Sequence, residues 1–93
     1  MRYFRRRWNE NRGDAHEAWG ASWWFFETDD LGNVRRQVEQ YDLGPTLRYD
    51  SHRQSDEFGG LSPEPLALAE FEPFASDQAE FECAWLNATP TRL

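Results

Sequence analysis

Residues 23–26, Trp-Trp-Phe-Phe, interrupt the alternation of apolar and polar positions found elsewhere in the chain. Four consecutive large aromatics leave no polar face, so a strand built from them needs cover on both sides. The Asp29-Asp30-Leu31-Gly32-Asn33 cluster that follows is turn chemistry, and residues 34–41 read as the returning strand. The pattern predicts a hairpin at the centre of the fold.

Residues 2–9 alternate, with Phe4, Arg6 and Trp8 on one face and Tyr3, Arg5 and Arg7 on the other, which predicts a first strand. Residues 10–20 read as a loop with room for a helical turn at 16–19, and residues 21–28 as the second strand. In the third strand, 34–41, Val34, Arg36, Val38 and Gln40 lie opposite Arg35, Gln37, Glu39 and Tyr41. Asp42-Leu43-Gly44-Pro45 is a second turn, followed by a short fourth strand at 46–50. Residues 51–65, polar and holding Gly59-Gly60 and two prolines, predict an exposed, mobile loop. Residues 66–74 have room for one or two helical turns.

Ser76 suits the N-cap of a helix running to about Leu86, with Asp77 in its first turn. Phe81, Ala84, Trp85 and Ala88 form one apolar stripe along it. The expected fold class is α+β: a four-stranded antiparallel meander with the C-terminal helix packed on one face. Residues 1–86 would form a single domain and residues 87–93 a flexible tail. One helix covers one face of a sheet. Either 10–20 or 51–74 closes the other, or half of the aromatic run faces a partner.

Composition adds a core and a charge asymmetry. Five Trp, seven Phe and three Tyr in 93 residues supply large apolar surfaces, each burying roughly 150–250 Å². The ten basic residues are all arginine, a codon-usage hint of a GC-rich bacterial genome. The net charge of −7 lies wholly in the second half, where two arginines face nine carboxylates. An acidic surface argues against nucleic acid and favours a basic protein partner. A lone Cys83 excludes an internal disulfide. Neither a signal-peptide apolar run nor a membrane span is evident, so the expected location is cytoplasmic.

If strand parity puts Phe4, Trp8, Val38, Leu47 and Tyr49 under the helix, Tyr3, Arg5, Arg7, Arg35, Gln37, Tyr41 and Arg48 fall on the opposite face. Either Trp23/Phe25 or Trp24/Phe26 joins them. From this face come the candidate partner- or ligand-binding residues Tyr3, Arg5, Arg7, Trp24, Arg35, Tyr41 and Arg48. Guanidinium groups beside aromatics are recognition chemistry. The plainer alternative pairs these arginines with Glu27, Glu39 and Asp50 across strands.

No catalytic, metal or cofactor residue emerges. His16, His52, Asp50, Asp56, Glu57 and Cys83 lack diagnostic metal spacing, and Ser51-His52 is an adjacent pair rather than a triad. No cation sits within a turn of Cys83 to activate it.

Arg2-Tyr3, Arg7-Trp8, the run 36–44, Gly59-Gly60-Leu61 and Ser76…Glu80-Phe81-Glu82…Trp85, in that order, resemble a family of small, uncharacterised bacterial proteins. These are about ninety residues long and form a domain of unknown function common in actinobacteria. The loop at 9–21 is longer here, and Asp42-Leu43-Gly44-Pro45 replaces a simpler turn. The resemblance implies a single α+β domain and transfers no catalytic residue.

The expected function is therefore a small acidic, non-enzymatic protein-interaction domain, immunity- or antitoxin-like or accessory to an enzyme. The alternative is an anionic-ligand-binding domain or minor enzyme using the Arg/aromatic face. A preformed, mostly apolar concavity of roughly 300 Å³ or more with convergent arginines would favour that alternative, and a flat, charge-compensated sheet face would count against it. Homodimerisation through exposed aromatics, or through Ala79, Cys83 and Leu86, is a third option.

Overall fold

The computed structural model describes residues 1–88. Strands β1 (Arg2–Trp8), β2 (Ser22–Thr28), β3 (Val34–Tyr41) and β4 (Thr46–Tyr49) form one antiparallel sheet in sequential order. A two-residue-per-strand hairpin follows, β5 (Ser55–Asp56) and β6 (Gly59–Gly60). Then come α1 (Leu68–Phe71), a 3-10 turn at Glu72–Phe74, and α2 (Gln78–Asn87). The fold is thus the expected α+β meander with a C-terminal helix. Among the described residues, no helix is long and apolar enough to cross a membrane.

The central strands carry the doubly covered character seen in the aromatic run. Phe25 and Phe26 point to opposite faces, yet both are buried, at 7% and 6% exposure. On one face α2 lays Phe81 and Trp85 over Phe25 and Val38, with Tyr3 and Trp23 at the margin. On the other, Leu61, Leu66, Leu68 and Phe71 cover Phe4, Phe26 and Val34. Beside them Phe58 and Trp19 pack on Tyr41, Leu47 and Tyr49. The second face is closed by both 51–74 and the β1–β2 connection.

Three expectations need correction. First, the face assignment fails. The register pairs Tyr3 with Glu27, Glu27 with Arg36, Phe25 with Val38, and Val38 with Arg48. Tyr3, Arg5, Arg7 and Arg48 therefore share the helix-covered face with Val38, whereas Trp24, Gln37 and Tyr41 lie on the other with Phe4, Trp8, Leu47 and Tyr49. Each strand's alternation was sound, but relative parity between strands is set by register. A bulge adds to this: Glu27 pairs with Arg36 and Thr28 with Val34, leaving Arg35 as the extra residue.

Second, the predicted loop at 51–65 is largely exposed as expected, but it contains the short β5–β6 hairpin and buries Phe58. Asp56 Oδ1 accepts from the amides of Phe58 (2.8 Å) and Gly59 (3.2 Å) and from the Tyr49 hydroxyl (2.9 Å), folding a tight hairpin that buries Phe58. Third, the helix N-cap is Asp77, which accepts from the Glu80 amide at 2.7 Å, one residue beyond Ser76. At its other end α2 reaches Asn87, and Ala88 is 5% exposed in the core. The rest of the predicted tail, 89–93, lies outside the described residues.

Candidate functional site

On the helix-covered face most of the predicted arginines are paired, although depressions of about 600 and 340 Å³ open beside Arg5. Tyr3 donates to Glu27 at 2.9 Å, and the Arg36 guanidinium grips both Glu27 oxygens at 2.8 and 2.7 Å. Arg36 also reaches Glu82 on α2, while lying 4.8 Å from the Phe81 ring centre and 5.0 Å from that of Trp85. These hydrogen bonds hold the Glu27 carboxyl below its usual range, with Arg36 as the leading cause. Arg5 stacks 3.9 Å from the centre of Trp23 and pairs with Glu80 at 3.6 Å. Arg7 meets Asp42 at 2.8 Å, and Arg48 donates to the Trp85 carbonyl at 3.1 Å. Bulged Arg35 projects outward, 3.9 Å from Asp29. These groups tie α2 and the turns to the sheet.

Trp24 and Tyr41 belong to a different place. In the sheet, Arg6, Trp24, Glu39 and Leu47 form one cross-strand row on the face away from α2. Next to it, Trp8, Ser22 and Tyr41 form another. Between these rows and the β1–β2 connection lies a cleft of about 340 Å³. Trp8, Trp24, Tyr41 and Phe58 line it, and the buried sheet residue Glu39 forms part of its floor. Trp24 is steadied by donating its indole N–H to Ser22 Oγ at 2.8 Å.

Glu39 is the chemically unusual member. It is 3% exposed in the middle of the sheet, where an apolar side chain would ordinarily sit. Tyr41 donates to one carboxylate oxygen at 2.6 Å and Gln37 to the other at 2.8 Å. Burial pushes the Glu39 carboxyl above its ordinary range, and these two hydrogen bonds pull it partly back. The Tyr41 hydroxyl is raised, first by burial and then by the neighbouring Glu39.

Arg12, from the β1–β2 connection, caps this network. It donates to the Tyr41 hydroxyl at 3.1 Å, to Asp14 at 3.0 Å and to the Phe58 carbonyl. Three of its five N–H donors are thereby engaged, and one arginine ties together the connection, β3 and the β5–β6 hairpin. Gln37 ties the same hairpin from below, donating to the Gly60 carbonyl at 3.1 Å and accepting from the Ser62 amide at 2.9 Å.

A second depression of about 250 Å³ abuts the first, and Trp8 and Trp24 line both. Its remaining walls are Phe26, Phe71 and Arg6. Arg6 lies 5.0 Å from the Phe71 ring centre and pairs with Glu70 at 3.4 Å, so its charge is compensated at the rim. The two depressions meet at Trp8 and Trp24, the first with polar and charged lining and the second nearly all apolar, and are together called the groove.

Arg12 and Phe58 escaped the sequence reading, and Glu39 entered it only as a cross-strand partner of arginine, where the structure instead pairs it with Tyr41 and Gln37. The available signal was Gln37, Glu39 and Tyr41 at i, i+2 and i+4 of a central strand, a polar row where burial on both faces calls for apolar residues. Among the described residues, no group of three or more His, Cys, Asp or Glu is arranged to hold a metal ion. Comparison with protein-family models, curated proteins and solved structures finds no match to this chain.

Proposed function

We propose that this chain is a small-ligand-binding domain whose site is the groove running from Glu39 to Phe71. The observation that carries this reading is the buried Glu39 carboxylate at the floor of an aromatic-walled cleft of about 340 Å³. Ligand sites are typically concave, mostly apolar, and supplied with a few fixed polar groups. A carboxylate held by two donors and a capping arginine matches that description. The test is a fragment screen read by the indole N–H signals of Trp8 and Trp24 in heteronuclear NMR. Hits should cluster on these two tryptophans; fragments that perturb Trp23 and Trp85 instead would sink the reading.

A second reading, contact with a basic protein partner, draws on Trp8, which is 48% exposed at the groove mouth. A partner that buries Trp8 would quench or shift its fluorescence and change the hydrodynamic size of the complex, which a small ligand does not.

A further inference from the structure

We infer that the ligand of this groove is a small organic cation with an aromatic or hydrocarbon body, its ammonium end beside Glu39 and its apolar end against Phe26 and Phe71. The inference rests on the ligand-binding reading above and adds the chemical class. It follows from how charge and apolar surface divide between the two ends.

At the polar end, the lining carries the carboxylates of Glu10, Asp14 and Glu39 against the single guanidinium of Arg12. Arg12 is already engaged by Asp14, Tyr41 and the Phe58 carbonyl, which leaves an excess of negative charge. An anion entering here meets three carboxylates and a single arginine, three of whose five N–H donors are already engaged within the chain. A cation meets Glu39, whose two oxygens each accept one hydrogen bond from Gln37 or Tyr41, where a carboxylate has room for about four. The Trp8 and Trp24 rings beside it supply electron-rich faces, and indole is the best aromatic partner for an ammonium group.

The apolar end has a different character. Phe26, Phe71, Trp8 and Trp24 line it, and Arg6 at the rim is held by Glu70 and stacked near Phe71. The same two tryptophans line both depressions, so a ligand occupying both would contact both indole rings. A bare metal ion or a simple ammonium would leave the apolar end unused; a neutral hydrocarbon would add no bond to the lone pairs of Glu39 that Tyr41 and Gln37 leave open.

Three probes with one aromatic body separate the possibilities: phenethylamine, phenethyl alcohol and hydrocinnamate, titrated into the full chain and followed at the Trp8 and Trp24 indole signals. Phenethylamine should bind about tenfold more tightly than the alcohol, with hydrocinnamate weakest. Glu39→Gln should erase the preference for the amine over the alcohol. Equal binding of all three, or strongest binding of hydrocinnamate, would overturn the cationic class while leaving the groove a ligand site. If no probe perturbs Trp8 or Trp24 up to millimolar concentration, both the class and the ligand-binding reading fall. The comparison of probes on the unaltered chain does not depend on whether the Glu39→Gln variant folds.

Discussion

Tyr41 donates its phenolic hydrogen to Glu39 across 2.6 Å, two residues apart on the same face of β3, and receives one from Arg12 at 3.1 Å. The hydroxyl is thus the joint between a buried carboxylate and the arginine that caps the cleft. Removing it leaves a donor of Arg12 and an oxygen of the buried Glu39 carboxylate short of a partner. Tyr41→Phe should therefore destabilise the fold by about 1–3 kcal/mol, measured by urea denaturation at neutral pH. Unchanged stability would mean that the joint is not maintained in solution.

Glu39 predicts a pH dependence of defined sign. Its folded-state carboxyl is raised above the ordinary value of 4.5, chiefly by burial. Above that value the unfolded chain has released this proton while the folded chain still holds it, so the group's contribution to stability declines as pH rises toward the folded pKa. Subtracting the stability curve of Glu39→Gln from that of the parent should give a difference that falls with pH from 4.5 upward. A flat or rising difference would show that Glu39 is not held in a burial-dominated environment.

Arg36 acts with the opposite sign through Glu27. Its hydrogen bonds depress the Glu27 carboxyl, so that part of the stability is present above 4.5 and is lost as pH falls through the depressed value. Arg36→Met leaves Glu27 buried without its cation and should cost about 3 kcal/mol at neutral pH. The loss should shrink on acidification, as Glu27 takes up a proton. Because Arg36 also holds Glu82, the variant should expose α2 amides to hydrogen exchange before those of β2.

The layout of strands and helix was legible because turn chemistry and periodicity are local. The cluster 29–33 and the 42–45 turn bound β3, and the Phe81/Trp85 stripe marks the inward face of α2. What was not legible depends on contacts distant in sequence. Nothing in β1 alone says that Tyr3 and Arg5 face α2; that follows from the β1–β2 and β2–β3 registers. Phe58 sits in a polar stretch, and its burial arises because Asp56 and Gln37 fold that stretch back onto the sheet. Arg12 looks like a solvated loop residue until its reach to Tyr41, across 29 positions, is known. Of the candidate binding residues, Trp24 and Tyr41 come together at the groove, while Tyr3, Arg5, Arg7 and Arg48 are built into the opposite face and Arg35 onto a bulge.

Gly44 links the second turn to the cap of the cleft. A β-carbon there would run into Cγ and Cβ of Trp19, closer than such atoms approach. Trp19 cannot simply swing away, because it packs 5.2 Å from Tyr41 and 5.5 Å from Phe58 between ring centres and stacks on His16 at 4.4 Å. Its carbonyl also accepts from the Leu43 amide at 2.9 Å, so the turn and the connection are hydrogen-bonded at the same point. Gly44→Ala should therefore cost about 1–3 kcal/mol through overpacking. The displaced Trp19 borders Arg12, whose guanidinium lies 5.5 Å from its ring centre, so the same substitution should weaken phenethylamine binding at the groove. The neighbouring substitution Leu43→Ala serves as the control: at 77% exposure it should change stability by less than about 0.5 kcal/mol. Thermal unfolding with near-ultraviolet circular dichroism checks both, since a shifted Trp19 alters the aromatic signal. If Gly44→Ala matches Leu43→Ala in both stability and spectrum, Trp19 is not seated on the turn and the cleft's cap is held by Arg12 alone.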